Sequence, residues 1–130
     1  MNRCVWSQRW RLRGWSASSA APCGTLRIPD LAVQREPDDD VWSRQTPVLV
    51  VEILSPSTRD EDLFRKTDDY RRSGIAQYWI VDRAVRTLTV LVNAGEEWDI
   101  AFTLSDDAPT ASIDVADLGT VDLDLSDFLA

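Results

Sequence analysis

Histidine is absent from this sequence of 130 residues, and cysteine occurs only twice, as Cys4 and Cys23. Two thiols without metal-ligand spacing, in a chain without histidine, exclude a zinc site of the usual kind. The same scarcity gives no support to a disulfide framework or to thiol catalysis. We therefore expect two free thiols in a reducing compartment.

Long apolar runs are also missing. A membrane-spanning helix needs about 18 or more consecutive apolar residues, and the chain has no such stretch. The Arg-rich N-terminus lacks an apolar run of signal-peptide length. We expect a cytoplasmic protein without a membrane partner.

Charge of one sign is missing from each end of the chain. Residues 1–29 carry five arginines and no acid, and residues 96–130 carry ten acids and no base, within a formal net charge of −8. Such asymmetry is typical of a basic arm for nucleic acid or of an acidic tail. For residues 96–130 we favour a solvated acidic face, because the acids are interleaved with apolar residues as in strands.

The length predicts one domain. Residues 1–25 show neither helical nor strand periodicity, so we expect an irregular N-terminal segment before a single domain of residues 26–130. Interleaved tryptophans and arginines could stack on single-stranded nucleic acid, but we favour an irregular lead-in. For the three aspartates of residues 38–40 we favour a solvated turn over a cation site, because their spacing differs from that of a calcium loop.

The stretch Val48–Leu54 is a near-continuous apolar run, which is typical of a strand buried on both faces. Thr58 and Glu61 form a capping box, which predicts a helix over about residues 59–73. That helix leads to a further strand, Gln77–Asp82. The strand–helix–strand unit is expected to be right-handed, with parallel strands.

Further strands are expected at residues 25–34, 86–92 and 97–104, followed by a β-rich C-terminal extension. Pro29 interrupts the first of them, so that strand should lie at a sheet edge or carry a bulge. The predicted fold class is α/β, with a mixed central β-sheet and one flanking helix.

Glu52 interrupts the central apolar run, and a buried ionised carboxylate is costly unless it is paired. Its candidate partners are Asp30 and Lys66, the only lysine of the chain. Two carboxylates at the ends of adjacent strands, with the Ile53 carbonyl, would bind Mg²⁺ and activate water. Lys66 would steady the attacking hydroxide or the developing charge. The alternative is a structural ion pair between Glu52 and Lys66, with Asp30 capping a turn.

A succession of motifs begins just before Asp30 and continues past the predicted helix: Ile28–Val33, Pro47–Thr58, Lys66 with Tyr70, Gly74, and Gln77–Asp82. Together these motifs resemble the Uma family (its Uma-two group), restriction-endonuclease-like proteins of bacteria within the PD-(D/E)xK nuclease superfamily. The resemblance runs from about residue 26 to the C-terminus. It implies a restriction-endonuclease-like core, a four-stranded mixed sheet flanked by helices.

The resemblance also implies roles for single residues. Asp30 matches the motif aspartate, and Glu52 matches the second metal ligand. Leu54 stands where the superfamily's usual lysine would be, and Lys66 looks like the lysine that has migrated to the helix in this family. The implied activity is a Mg²⁺-dependent endonuclease, with Mn²⁺ as a substitute, that hydrolyses phosphodiester bonds of DNA. Its catalytic residues would be Asp30, Glu52 and Lys66, and its metal ligands Asp30, Glu52 and Ile53.

One region departs from the family. Residues 1–25 do not resemble the helical region and first strand with which members begin, and no acid precedes Asp30. We therefore expect a truncated member with an open sheet edge, covered by the N-terminal segment or by a homo-oligomer such as a dimer. The alternative function is a catalytically inactive nuclease-fold module that binds nucleic acid or protein.

Overall fold

The computed structural model describes residues 5–12, 15–21, 30–35, 42–43, 46–54 and 61–129, with side chains within 30–35, 46–54 and 65–129. This part of the chain forms ten strands and two helices. In chain order they are β1 (Val5–Leu12), β2 (Trp15–Ala21), β3 (Leu31–Gln34), β4 (Trp42–Ser43), β5 (Leu49–Leu54), α1 (Glu61–Arg72), β6 (Gln77–Asp82), β7 (Thr87–Asn93), β8 (Trp98–Leu104), β9 (Thr110–Asp114), β10 (Thr120–Asp124) and α2 (Leu125–Leu129).

Eight strands form one mixed sheet in the order β4-β1-β2-β3-β5-β6-β7-β8, and β9 pairs with β10 in a separate antiparallel ladder. β5 and β6 are parallel and are connected through α1, as predicted. The other neighbours in the large sheet are antiparallel. The predicted fold class, a mixed sheet with a flanking helix and a β-rich extension, is confirmed.

One prediction for the N-terminal part is wrong. The backbone of 5–12 and 15–21 is not irregular, because β1 and β2 form an antiparallel pair there. For β3, pairing with β2 on one side and with β5 on the other excludes the edge position, and the predicted alternative, a bulge at Pro29, lies outside the described residues. β2, which belongs to the N-terminal segment, therefore covers the sheet edge at β3, one of the two coverings that were expected. The division of the chain at residue 25 stays a prediction.

Several other expectations lie outside the described residues. They concern Pro29, Thr58, the aspartates of residues 38–40, and the two cysteines. Within the part that is described, no helix combines the length and apolar character that a membrane crossing requires.

Helix α1 covers one face of the sheet. The registers place Ala32, Val50, Tyr78 and Leu91 side by side on four successive strands, and these residues are buried. They pack in one cluster with helix residue Tyr70 and with Ile75, Ile80 and Trp98. Gly74 ends the helix region with a φ of 83°, a conformation that glycine adopts without steric cost, as its predicted role as a stop signal requires.

The opposite face of the sheet packs against β9, β10 and α2. Its cluster includes Val51, Trp79 and Val90 from neighbouring strands, together with Leu123 and Leu125 from the C-terminal part. A buried amide links the layers, since Gln77 Nε2 donates to the Asp114 carbonyl at 2.6 Å and Gln77 Oε1 accepts from Trp79 Nε1 at 3.1 Å. Because both faces are covered, β5 is apolar nearly throughout.

Candidate functional site

Asp30 lies at the end of the sheet where β5 finishes. It directly precedes β3, and the antiparallel register of β3 with β5 pairs Leu31 with Val51. Asp30 Oδ2 accepts a hydrogen bond from the backbone N–H of Ile53 at 2.7 Å. The aspartate is thereby fixed to the strand residue that follows Glu52.

Glu52 is 5% exposed and lies on the α1 side of the sheet. Side chains alternate along a strand, so Glu52 shares its face with Val50, two residues earlier. Two side chains of α1 reach the carboxylate: the Tyr70 hydroxyl donates to Oε1 at 2.7 Å, and Lys66 Nζ lies 3.5 Å from Oε2. The glutamate therefore has a different helix partner on each of its oxygens.

The spacing of Lys66 and Tyr70 explains why both reach the same carboxylate. Residues four apart occupy the same face of an α-helix, one turn from each other. The two contacts differ in strength. The Tyr70 distance of 2.7 Å is typical of a strong O–H···O hydrogen bond, whereas the Lys66 distance of 3.5 Å exceeds the usual range for N–H···O. Lys66 also keeps 20% of its side chain exposed. The ammonium group is thus the looser partner of Glu52.

Burial raises the pKa of Glu52 to about 7, because the charged form loses its hydration. The hydrogen bond from Tyr70 and the positive charge of Lys66 act in the opposite direction, and the negative charge of Asp30 adds to the rise. Without a bound cation, the contacts of Glu52 with Tyr70 and Lys66 therefore do not fully offset the cost of burying its negative charge at neutral pH.

The helix segment that carries Lys66 and Tyr70 is anchored to β7 and β8. Trp98 Nε1 donates to the Thr67 carbonyl at 2.8 Å. Asn93 Nδ2 donates to the carbonyls of Arg71 and Ile75 at 3.0 and 2.9 Å. The Arg71 carbonyl is one of the last four of α1, which lack partners within the helix, and the three bonds together fix the position of α1 over the sheet.

The donor set of the site fits a hard cation. Among the residues that the structure describes, no group of three or more His, Cys, Asp or Glu side chains could hold a metal ion. The two predicted carboxylate donors, Asp30 and Glu52, match the number that Mg²⁺ commonly takes from a protein, with water completing the octahedron. A cation at this position would also compensate the buried charge of Glu52.

The three side chains that the sequence indicated lie together, with Asp30 joined to Ile53 and Lys66 adjacent to Glu52. Ile53 takes part through its backbone N–H, and its carbonyl as a ligand stays a prediction. Tyr70 is the contact that the sequence reasoning missed, since a tyrosine on the apolar face of a helix indicates a core residue. The signal in the sequence was its position four residues after Lys66, which places both side chains on the same face of the helix.

A family model described as "Putative restriction endonuclease", Uma2, matches residues 4–123. This chain belongs to the Uma2 family. Because the match includes most of the first 25 residues, the prediction that the family resemblance starts near residue 26 is wrong.

Among the solved structures with a similar fold is a "putative nuclease belonging to DUF820" from Anabaena variabilis ATCC 29413. The two chains are 18% identical, with a TM-score of 0.52 over 78% of this Uma2 chain. The matched part spans 59% of that protein's length. This likeness supports a nuclease-like fold for the chain. No curated protein matches the sequence.

Proposed function

We propose that this Uma2 protein is a Mg²⁺-dependent nuclease that hydrolyses phosphodiester bonds of DNA, with Mn²⁺ as a substitute ion. The observation that carries the proposal is the position of Asp30, Glu52 and Lys66 around the C-terminal end of β5. The family description and the nuclease-like fold support the reaction class.

In this proposal, Asp30 and Glu52 hold the ion, with the Ile53 carbonyl as a further ligand. Bound Mg²⁺ supplies a Lewis acid for the phosphate and lowers the pKa of water. Lys66 is loosely held by Glu52, so its ammonium group can turn towards the attacking hydroxide or the charge that develops on the phosphate. Ionisation of Glu52 is a precondition, because only the carboxylate binds the ion.

The test is cleavage of plasmid DNA by the purified chain with Mg²⁺, with Mn²⁺ and with EDTA. Cleavage should require the ion and should be abolished by Glu52→Gln, which keeps the side-chain shape but removes the charge. Glu96→Gln is the matched control, because Glu96 is exposed in the turn between β7 and β8. Full activity of the Glu52→Gln protein would overturn the assignment.

The second candidate is a catalytically inactive nuclease-fold module that binds nucleic acid or protein. The formal net charge of −8 favours it, because a negative surface opposes DNA binding unless the basic groups cluster. Calorimetric titration with Mn²⁺ separates the two candidates. Saturable binding that Asp30→Asn removes supports the nuclease, and a protein that binds no ion supports the module.

A homo-oligomer such as a dimer stays part of the proposal. The large sheet of the described chain ends at β4 on one side and at β8 on the other, and terminal strands offer unpaired backbone groups to a second copy. Light scattering on the purified protein gives the oligomeric state, and a monomer at all concentrations tested would remove this part.

A further inference from the structure

The hydrogen bond between Tyr70 and Glu52 joins two buried residues. Tyr70 is 0% exposed and Glu52 5% exposed, and the oxygens lie 2.7 Å apart. A hydrogen bond to an ionised acceptor is stronger than one between neutral groups, and a low local dielectric increases its strength. The bond is therefore suited to hold the carboxylate in one orientation.

The Tyr70 ring is itself fixed by aromatic neighbours. It meets the Tyr78 ring edge to face, with centroids 5.2 Å apart and planes at 69°. Tyr78 in turn packs against Trp98 at 5.9 Å, and Trp98 is bonded to the α1 backbone at Thr67. The Tyr70 ring is thus packed between helix and sheet, with its hydroxyl directed at Glu52.

The two carboxylate oxygens consequently have unequal freedom. Oε1 accepts the short bond from Tyr70, whereas Oε2 faces the looser and partly exposed Lys66. Lys66 can withdraw from Oε2 at little cost, since a contact of 3.5 Å contributes weakly. Oε2 is therefore the oxygen that remains available to a cation.

We infer that Tyr70 is a positioning residue for metal binding: its hydroxyl orients the Glu52 carboxylate so that Oε2 is the atom offered to the ion. The inference rests on the proposed function, because it assigns a role within the same metal site. It extends that function by adding a residue that would not contact ion or substrate.

Calorimetric titration with Mn²⁺ tests the inference on four proteins: the parent, Tyr70→Phe, Tyr78→Phe and Glu52→Gln. The Tyr70→Phe protein keeps the ring but loses the donor, so it should bind Mn²⁺ about 10 to 100-fold more weakly, as when other groups that orient metal ligands are removed. Tyr78→Phe is the matched control, since Tyr78 is the only other tyrosine and is equally buried, and it should bind like the parent. Parental affinity in the Tyr70→Phe protein would overturn the inference.

A second readout requires no metal. With ¹³C-labelled glutamate, the carboxyl signal of Glu52 is assigned by its absence in Glu52→Gln and is followed through a pH titration. The pKa of Glu52 should be higher in Tyr70→Phe than in the parent, because a bond that favours the charged form is lost, and unchanged in Tyr78→Phe. A purely structural role for Tyr70 would leave this pKa unmoved and would contradict the inference.

The two readouts also separate this inference from the proposed function. A parent that binds no Mn²⁺ removes the metal site and this inference with it, whereas a parent that binds Mn²⁺ and a Tyr70→Phe protein that binds it equally well overturn the inference alone. Should Tyr70→Phe fail to fold, the parent labelled with 3-fluorotyrosine replaces it. Its Tyr70 resonance should move with the midpoint of the Glu52 carboxyl signal, and a Tyr70 resonance that does not follow this midpoint overturns the inference.

Discussion

Glu52 is held in the apolar layer between β5 and α1 although its charged form is disfavoured there. Its pKa of about 7 reflects lost hydration, which Tyr70 and Lys66 offset only in part. In the proposed metal site a cation would complete the compensation, which would link the burial of Glu52 to metal binding. The same carboxylate that makes the site chemically useful therefore weakens the fold when no ion is bound.

This conflict predicts a pH-dependent stability. The folded protein binds the Glu52 proton more tightly than the unfolded chain, in which the pKa of this glutamate is near 4.5. The free energy of unfolding of the metal-free protein should therefore fall as pH rises from the unfolded pKa to about 7, by a total of about 3 kcal/mol at 1.36 kcal/mol per pH unit. Urea unfolding between pH 5 and pH 8 measures this decrease.

Glu52→Gln is the control for that prediction, since glutamine does not titrate. The variant should lose most of the slope and should be more stable than the parent above pH 7. Because the chain contains no histidine, no histidine titration contributes to the slope between pH 5 and pH 8. Equal slopes in the parent and the variant would show that Glu52 is not the responsible group.

The chemistry of single residues made most of this site predictable. A carboxylate in an apolar strand requires a partner, and the chain offers one lysine. The Tyr70 contact was not predictable in the same way, since tyrosine is compatible with an apolar helix face and its hydroxyl partner depends on how the helix lies over the sheet. Its role became visible only with the distance of 2.7 Å to Glu52.

Among the elements, the C-terminal end of α1 is held in place by Asn93, the last residue of β7 before the turn to β8. Asn93 Nδ2 bonds the Arg71 and Ile75 carbonyls, and Asn93 Oδ1 accepts from the Gly95 N–H at 2.8 Å. Asn93→Ala should lower the free energy of unfolding by about 1–3 kcal/mol, because partly buried backbone acceptors lose their donor. It should also speed hydrogen exchange at the C-terminal end of α1, which mass spectrometry measures.

Glu97→Ala is the matched control for this change, because Glu97 is exposed in the same turn. It should alter neither unfolding nor exchange in α1. Equal exchange of α1 in the parent and the Asn93→Ala protein would mean that Asn93 does not anchor the helix.

The elements differ in how well their sequences predicted them. β5 and β6 combine branched and aromatic residues, which favour strands, and their bounds agree with the predicted ones to within a residue. β2 reads Trp-Ser-Ala-Ser-Ser-Ala-Ala, which has low strand propensity and no alternation. Its strand form depends on pairing with β1 and β3, and such tertiary pairing has no local signal in the sequence.

At the scale of the whole molecule, an acidic surface lies on the side of the sheet opposite α1. The outer face of the β9–β10 ladder carries exposed Asp114 and Asp122, whereas its inner residues Ile113 and Leu123 pack on the sheet face opposite α1. Because like charges repel, this acidic ladder should oppose the approach of the proposed DNA substrate to that side of the molecule.

The double change Asp114→Asn with Asp122→Asn tests this view, since both amides retain an acceptor oxygen and remove charge. The association rate with a short DNA duplex should rise severalfold at low salt, and the gain should vanish at about 0.5 M salt, where surface charges are screened. Asp114→Glu with Asp122→Glu, which conserves the charge, should match the parent in stopped-flow measurements. A gain that persists at high salt would contradict long-range repulsion, because screening leaves only direct contacts to change the rate.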